Sequence, residues 1–457
     1  MSKPFVPHGY QDRGIRLLLS SAGAGLWLDP GMGKTSTALA AFDILQEQDL
    51  AQKMLVVAPI NPMYDTWPKE PQKWEEFKHL KVCIVHGKNK KKALEEEADI
   101  YIVNPEGLVW YLDQPNRPKC EILCVDESTK FKNPQSKRFK KLRKHLHEFE
   151  RRWTLTGTPA PNGLLDLFSQ VFIMDRGEAL GQYITHFKNK YFYQTGFGGY
   201  TWSPFPDSLD AISTAIAPMI LKLDAEDYLD MPEFNKVKIP IELDSKSMMM
   251  YKEIQDEFLL TLGENTVVAA NAAAAGTKCR QIANGALYIE NKEWTEVHDK
   301  KIKALENIVE ETNGHPLFIL YEFEHDRHRI QEFLGKDCVC ITGVSGPKLN
   351  KISEDFNSGK IKYLLAHPGS SHGLNIQGHC FHMVWFGITW NLEHFIQAVW
   401  RLYRQGQSSS MVMCYLLVAQ GTLDERVVEV LNHKEAEQEE LENLLIQFRQ
   451  EIDAYES

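Results

Sequence analysis

The sequence predicts an α/β protein whose first third forms a parallel sheet interleaved with helices, and three observations carry that expectation. Short apolar runs ("MLVVAPI" at 54–60, "ADIYIVNPEGL" at 98–108, Ile122–Val125 in "EILCVDESTK" at 121–130) alternate with helical patterns, the arrangement a parallel α/β lobe requires. "LWLDPGMGKTSTALAAFDIL" reads as an apolar entry, a Pro/Gly turn and then a helix. A chain of 457 residues is too long for one core, so two or three domains are expected.

Composition is that of an ordinary globular protein. The amino terminus lacks a charged-then-apolar signal pattern, and no run approaches the roughly 18 apolar residues of a membrane span; a cytoplasmic protein is expected. Eight scattered cysteines form no C-x-x-C pair, which argues against a zinc module and for reduced, mostly buried thiols. The net charge of −11 opposes a large basic surface, but residues from Lys434 onward contribute eight acids against Lys434 and Arg449, or −6 of that total. The body is nearer neutral and contains the cationic stretch "KFKNPQSKRFKKLRK" at 130–144, an electrostatic footprint or a solvated face.

The first functional element is "DPGMGKT". A strict phosphate-loop formula wants Gly at position 28, where this chain has Leu28. The chemically necessary part is present: Gly31 and Gly33 let backbone N–H groups close on phosphate, Lys34 supplies a cation, and Thr35 can ligate Mg²⁺. About ninety residues on, the apolar run Ile122–Val125 ends in Asp126 and Glu127, where ligands of open α/β sheets gather. Asp126 is expected to hold Mg²⁺ and Glu127 to orient and deprotonate the attacking water. Thr156 and Thr158 follow the strand that ends at Leu155, in a polar turn expected near the nucleotide edge and suited to coupling.

The order of these elements resembles helicase superfamily two, and the details its Swi/Snf-type branch of ATP-driven DNA translocases in a compact phage- or bacterial-like form. "GYQDRGIRLLL" resembles the glutamine motif, "DPGMGKT" motif I, "VVAPINPMYDTWPKE" motif Ia, "IVNPEGL" motif Ib, "VDESTKFKN" motif II and "LTGTPAPN" motif III. "SSHGLNIQGHCFHMVWFGITWNLEHFIQAVWRLYRQGQ" resembles motifs V and VI, and the resemblance runs from about residue 5 to about 433. DEAD-box RNA helicases show Asp-Glu-Ala-Asp and Ser-Ala-Thr instead, so the resemblance favours DNA. It implies two tandem RecA-like lobes with a nucleotide cleft between them: lobe one at 1–175, an aromatic insertion at 176–240, lobe two at 241–433 and an acidic helix at 434–457. It implies ATP and Mg²⁺ as cofactors, with Gln11 reading adenine and Gly373 and Gln397 on the nucleotide. Departures stand at Leu28, Asp29 and Pro30, at His372 where a small residue is usual, and at Trp400 where an acid is usual.

At helical spacing Gln397, Arg401 and Arg404 form one stripe, which also suits a solvent face. The resemblance makes Arg404 the finger on the γ-phosphate, with Arg401 beside it; Trp400 is expected to pack against "HMVWFGITW". Asn61, Asn104, Lys130, Asn133, Asn375 and Trp390 lie in motifs whose counterparts line the nucleic-acid face, although turn chemistry equally explains a lone Asn. The expected partner is duplex DNA, bound without sequence preference through phosphate. The aromatics of "YFYQTGFGGYTWSPFPD" either stack bases or cap a hairpin; they and the acidic tail are candidate surfaces for a protein partner, and a monomer is expected. The leading reading is a translocase, with a strand-separating or annealing helicase and an ATP-gated binding protein as alternatives.

Overall fold

The computed structural model describes residues 2–195, 201–263, 268–289, 293–371 and 374–456. The chain forms two compact units, Met1–Leu229 with Lys434–Ser457, and Asp230–His433. His372 and Gly373, and Phe197 and Tyr200 of the aromatic stretch, lie outside the described residues.

The first unit contains β1 (Gly23–Leu28), β2 (Met54–Val57), β3 (Val82–Ile84), β4 (Ile100–Val103), β5 (Ile122–Asp126), β6 (Arg151–Leu155), β7 (Phe192–Thr195), β8 (Thr201–Pro204) and β9 (Ile220–Leu223). Seven of these form one sheet in the order β3-β4-β2-β5-β6-β1-β9, with every pairing parallel. Strands buried on both faces need near-continuous apolar runs. Leu55, Val57, Tyr101, Val103, Leu123 and Val125 join one large core, while Val56, Ile102 and Cys124 alternate to the opposite face and are also buried. β7 and β8 form a separate antiparallel hairpin whose Phe192 enters the large core; Tyr193 and Phe205 stay exposed with rings 5.4 Å apart.

The second unit contains β10 (Glu233–Ile241), β11 (Ala286–Tyr288), β12 (Trp294–Glu296), β13 (Leu317–Leu320), β14 (Cys338–Cys340), β15 (Tyr363–Ala366), β16 (His382–Trp385) and β17 (Met411–Ala419). Six form a parallel sheet, β10-β17-β16-β13-β15-β14. The period of two is visible in its packing: Phe318, Leu320, Leu364, Met383 and Trp385 belong to one apolar cluster, and Leu317, Ile319, Leu365 and Val384 to another.

The unit boundaries differ from the sequence expectation. The segment 176–240 is no separate insertion, because β9 pairs with β1 as an edge of the first sheet while β10 pairs with β17 in the second. The acidic tail is the later part of one uninterrupted helix, Leu423–Glu456. Its Leu441 and Leu445 are buried in the first unit's core with Phe448 and Ile452 packed alongside, an i, i+4 apolar stripe that gives an acidic helix one face to bury. Among the described residues no helix is long and apolar enough to cross a membrane. None of the eight cysteines forms a disulfide; Cys340 is half-buried and the others are buried.

Candidate active site

The carboxyl ends of β1, β5 and β6, adjacent in the order β5-β6-β1, bring the first unit's predicted nucleotide residues to one sheet edge. After β1 the chain turns through Gly31 (φ 92°) and Gly33 (φ 74°), backbone conformations that a side chain strains. The helix Lys34–Glu47 starts immediately, so its free N–H groups face the loop. A Cβ at Gly33 would lie 2.3 Å from Gln11 Nε2, which puts the buried Gln11 side chain against the loop. Gln11 Oε1 accepts the His8 N–H at 2.9 Å.

Lys34 Nζ donates to the Leu28 carbonyl at 2.7 Å and the Asp29 carbonyl at 3.2 Å. Burial holds this ammonium below its usual pKa, opposed by the charges of Glu127, Asp126 and Asp29. An ammonium held by carbonyl dipoles is ready to exchange them for phosphate oxygens. Thr35, half-buried, occupies the next position of the helix.

Asp126 closes β5 and is 8% exposed. Its Oδ2 accepts the Trp67 indole N–H at 2.9 Å, and its Oδ1 accepts the Glu127 N–H at 3.1 Å. Burial pushes its carboxyl up, opposed by the Trp67 bond, by Lys34 and by the Glu127 N–H. Glu127 is left-handed (φ 51°, ψ 61°), a conformation that costs a β-carbon-bearing residue on the order of 1–3 kcal/mol and clusters at functional sites. Hard oxygen donors are the set a magnesium ion takes; the Thr35 hydroxyl and the Asp126 carboxylate, whose oxygens each accept one described hydrogen bond, fit that requirement.

Thr156 follows β6, and its Oγ1 accepts the Thr158 N–H at 3.1 Å. Thr158 Oγ1 is buried and makes no hydrogen bond within the described residues. This turn abuts the phosphate loop, since a Cβ at Gly157 would meet Pro30 Cδ at 3.1 Å. Sequence reasoning missed the link from here to motif II: Ser128 Oγ donates to Gln170 Oε1 at 2.6 Å, and Gln170 Nε2 donates to the Pro159 carbonyl at 2.7 Å. It also missed Trp67, whose signal was an indole in "DTWPKE" that is 0% exposed and must place its N–H.

In the second unit the predicted stripe of three is corrected. The helix Leu392–Val399 ends before Arg401, because the N–H groups of Arg401 and Leu402 bond three residues back, to Ala398 and Val399, and the chain leaves the α register. Gln397 is buried, and neither amide atom is hydrogen-bonded among the described residues. Arg401 donates from Nε to the Gln397 carbonyl at 2.8 Å and from Nη1 to the Leu374 carbonyl at 3.2 Å. Arg404 is half-buried, and burial draws its guanidinium below the usual value. Trp400 packs on the cluster that contains Met383 and Trp385, its ring 5.2 Å from Tyr403.

The candidate nucleic-acid residues of the first unit follow β2, β4 and β5, which are neighbours in register through Val57, Val103 and Val125. Asn61 is half-buried in the helix Ile60–Tyr64, and Lys130 is half-buried in the turn Ser128–Phe131. Asn104 and Asn133 are engaged in turns: Asn104 Oδ1 accepts the Gly107 N–H at 3.1 Å and Asn133 Oδ1 the Gln135 N–H at 2.8 Å. Asn104 is only 5% exposed, so its amide shapes the turn. In the second unit Asn375 is exposed, its carbonyl accepting from Asn357 Nδ2 at 2.7 Å. Trp390 is half-buried with the Arg280 guanidinium 6.0 Å from its ring.

Residues 10–302 match the SNF2-related domain, and residues 300–406 the helicase conserved C-terminal domain. The chain is 37% identical over 457 residues to protein p41 of Acyrthosiphon pisum secondary endosymbiont phage 1, covering 96% of this chain and 98% of that one. It is 23% identical to the CHD3-type chromatin-remodeling factor PICKLE of Arabidopsis thaliana, covering 93% of this chain but 34% of that protein. To an ATP-dependent helicase of Mycoplasma genitalium it is 25% identical, covering 93% and 41%. It thus spans nearly all of the phage relative and about a third to two fifths of the others. Among solved structures it is similar to the Sulfolobus solfataricus SWI2/SNF2 ATPase core in complex with dsDNA, at 21% identity, 94% and 92% coverage and a TM-score of 0.44. The two domain matches, in order along the chain, make it a member of the SNF2-related family and an ATPase of helicase superfamily two.

Proposed function

We propose that this chain is an ATP-driven translocase that moves along duplex DNA without sequence preference. The observation that carries the reading is the Lys34 ammonium at the end of β1, inside a loop turned by two left-handed glycines and under the charges of Asp126 and Glu127. In this reading the loop N–H groups and Lys34 bind the outer phosphates, and Gln11 reads the base. Thr35 and Asp126 would hold Mg²⁺, which when bound supplies charge neutralisation on those phosphates. Glu127 orients the attacking water and accepts its proton. Arg404, assisted by Arg401, supplies the cation for charge that develops in the transition state, and Gln397 contacts the nucleotide. The Ser128–Gln170–Pro159 chain ties Asp126 to the turn of Thr156 and Thr158, which suits coupling of hydrolysis to movement. The turns with Asn61, Asn104, Lys130 and Asn133, together with Asn375 and Trp390, are the proposed grip on the DNA backbone. The DNA preference is supported by motif III, and by relatives named for chromatin remodelling and helicase activity.

The test is ATP hydrolysis with duplex DNA, single-stranded DNA, RNA and no nucleic acid, for the natural sequence, Lys34→Ala and Arg404→Ala. Duplex DNA should raise the rate, and rising salt should abolish that stimulation. Lys34→Ala should remove hydrolysis, and Arg404→Ala should lower kcat by on the order of 10³ while sparing nucleotide binding. No stimulation by duplex DNA would overturn the translocase reading.

A further inference from the structure

Lys222, in the middle of β9, is 0% exposed, and its ammonium contacts three carboxylates: Asp224 at 2.9 Å, Asp29 at 3.0 Å and Glu442 at 3.1 Å. They come from three places in the first unit. Asp224 follows the same strand, Asp29 opens the phosphate loop, and Glu442 projects from the carboxy-terminal helix, beyond residue 406 where the helicase C-terminal match ends. Asp29 is held at both ends: its Oδ2 accepts the Ala225 N–H at 3.0 Å, and its backbone carbonyl accepts from Lys34 Nζ. Glu442 is itself oriented, since its Oε1 accepts from Gln438 Nε2 at 3.0 Å.

We propose that Glu442 is a positioning residue for the phosphate loop: through the buried ammonium of Lys222 it fixes Asp29, and through Asp29 the place of Lys34. The inference rests on the ATP-site reading above. A buried ion pair contributes less to stability than to geometry when desolvation offsets its attraction, and here the geometry it sets is that of the residue that begins the nucleotide loop. Three carboxylates on one ammonium leave a surplus of negative charge. Burial would pull Lys222 down, but Glu442, Asp29 and Asp224 outweigh it and hold the ammonium charged. Burial pushes Glu442 up to about 7, against the pull of Lys222 and with the repulsion of Asp29 and Asp224, so this carboxyl is the one that takes a proton near neutrality. Lys34 feels the cluster directly, through the opposed charges of Asp29 and Lys222. Protonation of Glu442 loosens Lys222; ionisation tightens it.

The test compares the full chain with Glu442→Gln, Glu442→Ala, Lys222→Met and the exposed same-helix control Glu439→Gln. The readouts are steady-state ATP hydrolysis and binding of a fluorescent ATP analogue between about pH 6 and 8.5. At the alkaline end Glu442→Gln should raise KM and Kd about three- to tenfold with kcat nearly unchanged, and Lys222→Met should raise them further. The gap between Glu442→Gln and the natural sequence should close towards pH 6, and Glu439→Gln should match the natural sequence throughout. If Glu442→Ala fails to fold, the isosteric Gln variant still decides. Natural KM and Kd in Glu442→Gln, a gap independent of pH, or a lower rate that only follows a smaller folded fraction would overturn the role. A natural chain that neither binds nor hydrolyses ATP would instead overturn the nucleotide reading, and this role with it; Lys34→Ala, run alongside, separates the two failures.

Discussion

Replacing Trp67 by Phe removes one hydrogen atom that matters. The indole N–H is the side-chain donor to Asp126 Oδ2, at 2.9 Å, with Trp67 0% exposed and Asp126 8% exposed. Leaving a buried charged acceptor without its donor costs about 1.5–3 kcal/mol. The smaller ring leaves a void of ~40 Å³ at ~24 cal/mol per Å³, which adds about 1 kcal/mol. The expected destabilisation is therefore about 2.5–4 kcal/mol, read as a lower urea midpoint for the first unit. The same bond is the largest influence that holds the Asp126 carboxyl down, so its loss should also raise that pKa and weaken Mg²⁺. Half-saturation of the ATPase by Mg²⁺ should rise about tenfold or more, most at acid pH. A midpoint within ~0.5 kcal/mol of the natural chain, together with unchanged Mg²⁺ dependence, would refute the role given to this contact.

Gly33→Ala and Gly87→Ala both place a side chain at positive φ, 74° and 68°, and each should cost about 1 kcal/mol of strain. Only the first meets a neighbour, Gln11 Nε2 at 2.3 Å, so only Gly33→Ala should lose nucleotide affinity, checked by equilibrium binding. Lys301 is fully buried and donates to Asp424 Oδ2 at 2.6 Å, Asn284 Oδ1 at 2.8 Å and the Phe386 carbonyl at 3.0 Å. Lys301→Met should destabilise the second unit by about 3–5 kcal/mol, and Asp424→Leu in the same chain should restore much of it, measured by denaturant unfolding. Burial lowers His298 and His382 to about 4. Their neutral forms are favoured on folding, so the second unit should lose up to about 3 kcal/mol per ring as pH falls from 6.5 to 4. Glu442 and Asp43 are raised to about 7 and about 6, so their contribution in the first unit is full below the unfolded pKa near 4 and is lost as pH rises through those values. Thermal unfolding at pH 7.5 and 5 should thus move the two units in opposite directions.

The parts of the site that follow from local chemistry were legible in the sequence: glycines where the backbone turns left-handed, a lysine at a helix start, two acids at the end of an apolar strand. Contacts made across the sheet were not. Lys222 lies in the apolar run "ILKL" with Asp224 two residues on, and nothing local marks Asp29 and Glu442 as its other partners. Trp67 and Gln170 likewise act through partners 59 and 42 residues away. The Gln397–Arg401–Arg404 stripe misled because spacing fixes a face only while the helix lasts, and this one ends at Val399. The resemblance implies a boundary at 175, whereas β9 returns to the first sheet, a pairing that a four-residue run does not disclose.

The buried cysteines have a practical consequence. Burial raises the thiols of Cys83, Cys120, Cys338 and Cys380 to about 11 or 12, so in the folded chain they present almost no thiolate to an alkylating reagent. Cys83, Cys120 and Cys124 belong to the first unit, and Cys279, Cys338, Cys340, Cys380 and Cys414 to the second. Pulsed alkylation followed by mass spectrometry would therefore time the opening of each unit separately, with the half-buried Cys340 as an internal marker of surface access, and the protein serves as its own reporter with no label introduced.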